Sequence, residues 1–343
     1  MTVSPRRRVL GASLLGVILV VAVAVPWLVD DYTTALLART LVLGLVGVSV
    51  ALLTGVAGLP TLGQTAPYAA GAYAGAVLAV HTQSVGVVQL LAGAVAGAAL
   101  AAGTVPLVVY ARGVVVLMIT LAIGELVVTA AGRWRSVTGG TDGLAGFPAV
   151  RPLWGLPVLD SDRTRYLYTL AVVVVVVAVV LLLLRTRAGL LLTAARDDEA
   201  RLRASGHPVT AYLSAAYLAA GAVAGVAGTL LVTAQQYVSP ADFGFDTSAL
   251  LLLGVVIGGA ASIRGALAGA VLVIDARDWL TGQFPGSAPL LLGAFFALTA
   301  YLFPKGVGTL SAATAGLFRS AAGRRPAAAP SGPAPAYRSE AEG

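Results

Sequence analysis

Apolar stretches long enough to cross a bilayer follow one another through the first 303 residues, and an arginine-rich loop, residues 185–206, interrupts them. That alternation leaves few folds open. Backbone in lipid must satisfy its own hydrogen bonds, so each stretch is read as a helix. Only 11% of the 343 residues are charged, against roughly 25% in a soluble domain of this size. The 41 glycines suit helices whose backbones approach closely. A net charge of +7 would point to nucleic acid in a soluble protein, but here most arginines flank apolar segments, as expected for a chain oriented by its positive loops. The absence of cysteine excludes disulfides, thiol catalysis and cysteine-held metals, and two histidines are too few for a histidine cluster.

The predicted spans are 9–29, 40–56, 62–80, 85–109, 114–131, 166–184, 211–234, 248–261, 265–280 and 288–303. Residues 6–8 are three arginines ahead of an apolar run, as in a signal peptide, but the run is long enough to span outright. Reading 248–274 as one helix would place Lys305, Arg319, Arg324, Arg325 and Arg338 on the same side as the outer loop. A break within 258–264 avoids this, with two short segments that are tilted or re-entrant. The fold class expected is therefore an all-α polytopic membrane protein of about ten transmembrane or re-entrant helices, with both termini cytoplasmic. In that arrangement fifteen basic residues lie inside and seven outside. The chain divides into a cytoplasmic N-terminus (1–8), a transmembrane domain (9–304) with an outer loop (132–165) and a cytoplasmic loop (185–210), and a disordered cytoplasmic tail (318–343) rich in Ala, Pro, Gly and Ser. Residues 71–78 and 265–272 also share a Gly-Ala-x-Ala-Gly-Ala-Val-Leu pattern, the spacing of a parallel internal repeat or a coincidence of a Gly/Ala-rich chain.

Enzyme chemistry has little to stand on. There is no G-x-x-x-x-G-K-[ST] loop, the single lysine is Lys305, and no His-Glu-x-x-His site exists. Glu125 stands out as the one carboxylate deep in a predicted span. It is open to two roles, a group in a solute or proton path and a packing hydrogen bond to a neighbouring helix. Gln64, with Pro60, Gly63 and Pro67, marks a helix that breaks or kinks and frees backbone groups near a cavity. From Arg196 to Gly206, acids lead and arginines follow. This predicts a short helix with i,i+4 pairs Asp197–Arg201 and Glu199–Arg203, ending at Gly206 before Pro208. A helix this short is marginal alone and calls for a partner surface.

These same residues carry a resemblance. Leu59-Pro60-Thr61-Leu62-Gly63-Gln64 with Gly71-Ala72-Tyr73, Thr120-Leu121-Ala122-Ile123-Gly124-Glu125, Thr138-Gly139-Gly140-Thr141-Asp142-Gly143-Leu144 with Gly146-Phe147-Pro148, and Tyr237-Val238-Ser239-Pro240 with Gly258-Gly259 resemble motifs of branched-chain amino-acid ABC-importer permeases, in order and spacing. The Thr138–Leu144 run is similar to the Liv M-type subunit rather than its H-type sister. The resemblance covers roughly residues 36–304. Departures at Thr61, Pro67, Ala261, Ser262 and Ala266 bear on solute choice more than on fold, since urea and short-chain amide importer permeases share these motifs.

The resemblance implies a multi-pass protein of the bacterial cell membrane that is not itself an enzyme and binds no cofactor. ATP-Mg would be bound by two cytoplasmic ATP-binding subunits, with a sister permease and an extracytoplasmic solute-binding protein completing the importer, and no nucleic acid involved. It implies a coupling loop carried by Arg196, Glu199, Ala200, Arg201, Arg203 and Gly206, with Arg201 and Arg203 making the polar contacts. Gln64, Glu125, Gly258, Gly259 and Gly265 become candidates for the passage, and Thr138, Gly139, Gly140, Asp142 and Gly143 for its outer mouth. The alternatives are a urea or amide importer permease, a more distant ribose-type sugar permease, and an ion-coupled secondary transporter using Glu125.

Overall fold

A computed structural model describes residues 16–298, apart from 18, 82–84, 154, 156, 285, 288–289, 295–296 and the side chain of His81. The predicted N-terminus (1–8), most of the last span (288–303) and the tail (318–343) lie outside the described residues. Ten helices of six residues or more are used below: α1 (Asp31–Ala51), α2 (Thr65–His81), α3 (Gly86–Val109), α4 (Val114–Arg133), α5 (Asp162–Leu184), α6 (Arg187–Asp197), α7 (Glu199–Ala204), α8 (Val209–Gln235), α9 (Phe245–Gly258) and α10 (Ile263–Gln283). Two strands of two residues each, β1 (Leu144–Ala145) and β2 (Tyr237–Val238), pair antiparallel. Among the described residues, six helical segments are long and apolar enough to cross a membrane: Asp31–Ala57, Gly86–Val109, Val114–Arg133, Asp162–Leu184, Val209–Gln235 and Pro240–Gly258. The 17-residue α2 is shorter, and α10 carries Arg264, Asp275, Arg277 and Asp278.

Long apolar runs make these helices, but small residues decide how they meet. Helix α8 is buried along most of its length, and its glycines face two neighbours. A Cβ on Gly225 would fall on the Gly93 carbonyl of α3, and one on Gly228 would fall on the Tyr68 carbonyl of α2. Thr229 adds a hydroxyl 3.3 Å from the carbonyls of both Gly71 and Gln89. Helices α2, α3 and α8 are thus held at backbone contact, the arrangement small residues allow in lipid. Helices α9 and α10 form a second close pair, with Gly258 against the Gly265 carbonyl and Gly269 against the Gly254 carbonyl. This pair rests on α1, where Gly47 leaves room for Ala270.

The segment expected to break between 258 and 264 does so. Helix α9 ends at Gly258, Gly259 takes φ 91°, and Ser262 caps α10 by accepting from Gly265 N at 3.2 Å. The second span is longer than its apolar core. It begins at Asp31 rather than residue 40, because Thr34 and Arg39 near its start find partners. It continues through a π-helical turn, Leu52–Ala57, and stops at Gly58 with φ 74°.

The two ends of the bundle are distinct. At one end, the start of α1 meets the start of α5 through Arg163 and Asp31, 3.7 Å apart. The loop following α4 closes the same end: it turns at Arg135–Thr138 and Gly140–Asp142, and then pairs β1 with β2. At the other end, the last turn of α1 meets the 187–206 segment. The connection between the predicted spans 211–234 and 248–261 is ordered, with Ser239 and Asp242 forming a capping box on the turn Pro240–Phe243.

Candidate functional site

The 187–206 segment is built as two helices. Helix α6 lays Leu192 and Ala195 inward, and Gly189 sits on the backbone of Leu184. The single 196–206 helix expected from sequence is interrupted at Asp198, whose extended backbone (φ −156°, ψ 90°) lets its side chain cap α7 by accepting from Arg201 N at 3.0 Å. The interruption changes the pairing. Asp197 meets Arg196 at 3.2 Å instead of Arg201, and Arg201 pairs with Asp198 at 3.3 Å. The Glu199–Arg203 pair forms as the spacing predicts, at 2.7 Å.

Two contacts fasten this segment to the bundle. Arg196 Nη1 donates to the carbonyl of Gly55 at 2.5 Å, an acceptor left free where the π-helical turn ends α1. Glu199 Oε1 accepts from Arg112 Nη2 at 2.8 Å, reaching the connection between α3 and α4. Between them lies a cleft of about 140 Å³ lined by Gly58, Pro60, Arg112, Val116, Arg196 and Glu199, among others. Arg203 is turned back onto Glu199, while the Arg201 side chain is 87% exposed. Ala200 is exposed, and Gly206 ends the segment at φ 83°.

The passage candidates separate into different places. Residues 58–64 run without helix into the bundle. Gly63 packs on the Thr120 backbone, Leu62 N donates to Thr120 Oγ1 at 3.2 Å, and Gln64 is buried with its Oε1 3.2 Å from Ser49 Oγ. Thr65 and Ser248 hydroxyls lie 2.8 Å apart beside it. A polar seam thus runs between α1, α2, α4 and α9, where non-helical backbone at membrane depth is buried in protein. Glu125 is not part of it. Gly124 faces Thr65, and the next residue turns Glu125 to the exposed side of α4. Gly258 and Gly265 face each other in the α9–α10 pair, and Gly259 makes its turn.

The outer-mouth candidates form a compact turn. Thr138 Oγ1 donates to the Ala131 carbonyl at 2.5 Å, Gly139, Gly140 and Gly143 take positive φ, and Tyr237 Oη donates to the Asp142 carbonyl at 3.0 Å. A side chain at Gly143 would meet the Val238 carbonyl, so this motif folds the loop onto β2.

The seam, the fastened loop and the folded glycine turn are the segments that carry the motifs noted in the sequence. Residues 32–303 match the family described as "Branched-chain amino acid transport system / permease component". The chain belongs to this family. It is similar to the high-affinity branched-chain amino acid transport system permease protein LivM of Salmonella typhimurium (strain LT2), 31% identical over 84% of this chain and 73% of that relative. LivM of Escherichia coli (strain K12) is 30% identical with the same coverage. No solved structure matches. The chain is a multi-pass integral membrane protein and a transport permease.

Sequence reasoning missed one group of residues. Glu125 is not the only carboxylate within a predicted span: Asp275 and Asp278 lie on α10, and Arg39 of α1 stands 4.0 Å from Asp278. The signal was the Asp275-Ala276-Arg277-Asp278 run at the end of a predicted span.

Proposed function

We propose that the chain is one of two transmembrane subunits of an ATP-driven importer of branched-chain amino acids, with ATP hydrolysed by separate cytoplasmic subunits that bind α7. The observation that carries this reading is the 187–206 segment, an exposed helix presenting Arg201 outward while Arg196 and Glu199 bind it to the ends of α1 and α3. A partner gripping α7 would therefore pull on the bundle at two points. The split of basic residues supports a cytoplasmic position for this end, and the reading assigns both termini to the same side. The Thr138–Gly143 turn then faces outward, where a binding protein would deliver solute.

Glu125 belongs to the same picture. It is the twelfth of the 20 residues of α4, close to mid-membrane, and it is exposed among the described residues. A carboxylate at that depth costs a few kcal/mol against lipid, so the face of α4 bearing it meets water or the sister permease. Closure of the ATP-binding subunits would shift the bundle between outward- and inward-open states.

The test is purification of the tagged chain from its native membrane in mild detergent, with the co-purifying proteins identified by mass spectrometry. ATP-binding subunits, a second permease and leucine uptake by the reconstituted complex are expected. A chain that purifies alone where a control complex survives, and whose transport follows a proton gradient lost on Glu125→Gln, would replace this reading with a secondary transporter.

A further inference from the structure

Near the end of the bundle that carries the Thr138–Gly143 turn, three elements bring charge of both signs into one small pocket. Arg39 comes from α1, Asp242 from the Pro240–Phe243 turn and Arg277 from α10, and Tyr68 of α2 lines the same space. The pocket holds about 10 Å³, room for roughly one water. Its apolar side includes Leu43, Leu251 and Ile274.

The polar groups here are poorly matched to one another. Arg39 approaches Asp278 only to 4.0 Å, and Asp278 Oδ2 is buried without a hydrogen bond. Among the described residues Arg277 has no ion-pair partner within 4.0 Å, and its side chain enters no hydrogen bond. Tyr68 is fully buried, is packed edge-on to Phe243 at 5.0 Å, and has a hydroxyl with no hydrogen-bond partner. Asp275 and Asp242 are better served, by the Thr40 hydroxyl at 2.8 Å and Ser239 N at 3.0 Å. Arg277 and the Tyr68 phenol therefore stand inside this end of the bundle with unused donors, beside Arg39, whose one ion pair is long. Such groups inside a transporter mark solute pathways, and unused guanidinium donors favour a carboxylate.

We propose that this pocket receives the charged head group of an α-amino acid in transit, with Arg39, Arg277 and the Tyr68 hydroxyl taking its carboxylate, Asp242 its ammonium group, and Leu43, Leu251 and Ile274 contacting its aliphatic side chain. The inference rests on the importer reading and adds to it a solute contact in this chain. Asp242 in the same space disfavours a simple anion, and the leucine and isoleucine wall disfavours a small polar solute such as urea. At its present volume the pocket is closed. Entry moves Tyr68 of α2 away from Arg39 and Arg277, and the solute carboxylate lies between the two guanidinium groups.

The test uses the whole importer in proteoliposomes, with leucine uptake and binding-protein-stimulated ATP hydrolysis measured side by side. Arg277→Gln and Tyr68→Phe are the informative variants, because each removes a polar group that has no hydrogen-bond partner among the described residues. Leucine uptake is expected to fall roughly tenfold in each, the size of one charge-assisted contact, while stimulated hydrolysis stays within about twofold of wild type. Uptake at the wild-type rate in both variants would overturn the pocket and leave the importer reading standing. Equal loss of uptake and hydrolysis would overturn it too, by making the residues structural. No leucine uptake by the wild-type complex would overturn the importer reading itself.

Discussion

Arg196 is the side chain whose loss should separate ATP hydrolysis from transport. Its Nη1 reaches the Gly55 carbonyl at 2.5 Å, and its stem covers Gly58, where a Cβ would come within 2.7 Å of Arg196 Cγ. A hydrogen bond from a charged donor contributes about 1.5–3 kcal/mol. The Arg196 side chain is 36% exposed, so solvent competes for it and the lower value applies. Losing about 1.5 kcal/mol changes an equilibrium roughly tenfold. In Arg196→Ala the 187–206 segment keeps its Glu199–Arg112 contact but loses its hold on α1. Reconstituted Arg196→Ala importer should insert and assemble, hydrolyse ATP when the loaded binding protein docks, and take up about tenfold less solute per ATP. Arg196→Lys keeps the charge and should recover part of the loss. A solute-to-ATP ratio equal to wild type in Arg196→Ala would refute the idea that force reaches the bundle through Gly55.

Arg201→Glu should abolish co-purification of the ATP-binding subunits, because Arg201 points outward; Arg203→Glu should weaken it less, since its loss falls first on Glu199. Retention of the ATPase subunits by Arg201→Glu would remove α7 from the interface. The chain has no cysteine, so Glu125→Cys can be labelled cleanly. A water-soluble thiol reagent should modify it in the assembled complex while sparing Val175→Cys, an exposed position on α5, and equal inertness would place Glu125 off the aqueous path. Gly225→Leu would drive a side chain into the Gly93 carbonyl, an overpacking cost of about 1–3 kcal/mol, and should lower the detergent unfolding midpoint. An unchanged midpoint would mean α3 and α8 are not held at backbone contact.

What was legible in the sequence follows from which signals are local. Apolar length marked most of the helices, and the balance of basic residues marked the α9–α10 break, where Gly259 makes the turn and Ser262 the cap. Pro60, Gly63 and Gln64 marked the non-helical entry to α2, because proline and glycine interrupt a helix. Long-range pairing was not legible. Residues 31–39 lie outside the predicted span 40–56, yet Arg39 faces Asp278 of α10, 239 positions away. The i,i+4 arithmetic for Asp197 assumed an unbroken helix, and Asp198 is both the break and the cap of the next helix, a choice decided by docking on Gly55 and Arg112. Glu125 and Asp275 looked different in sequence only because Asp275 sits beside other charges. In the fold Asp275 accepts from Thr40 between helices, and Glu125 is the one left uncovered.

The distribution of contacts also bears on which parts can move. Helices α2, α3 and α8 touch backbone to backbone through glycine, and so do α9 and α10. Close-packed contacts of this kind resist sliding, so each group moves as a body. Where the groups meet, α1 packs on α8 through larger apolar side chains, and the polar contacts differ in kind. The Thr65–Ser248 hydroxyl pair links α2 to α9, the Ser49–Gln64 contact links α1 to the entry of α2, and Tyr68 meets Arg277 only across the small pocket. Hydroxyl pairs can be exchanged for water or solute at small net cost, whereas parting two glycine-packed helices forfeits dispersion along the whole contact. The coupling segment pulls at the matching place. Gly55, which Arg196 holds, also lies against the Ala260 carbonyl in the α9–α10 turn, so a displacement of α6 is delivered to α1 and α9–α10 together. Motion of that group relative to α2, α3 and α8 would open the polar seam and the outer pocket while leaving both glycine-packed groups intact.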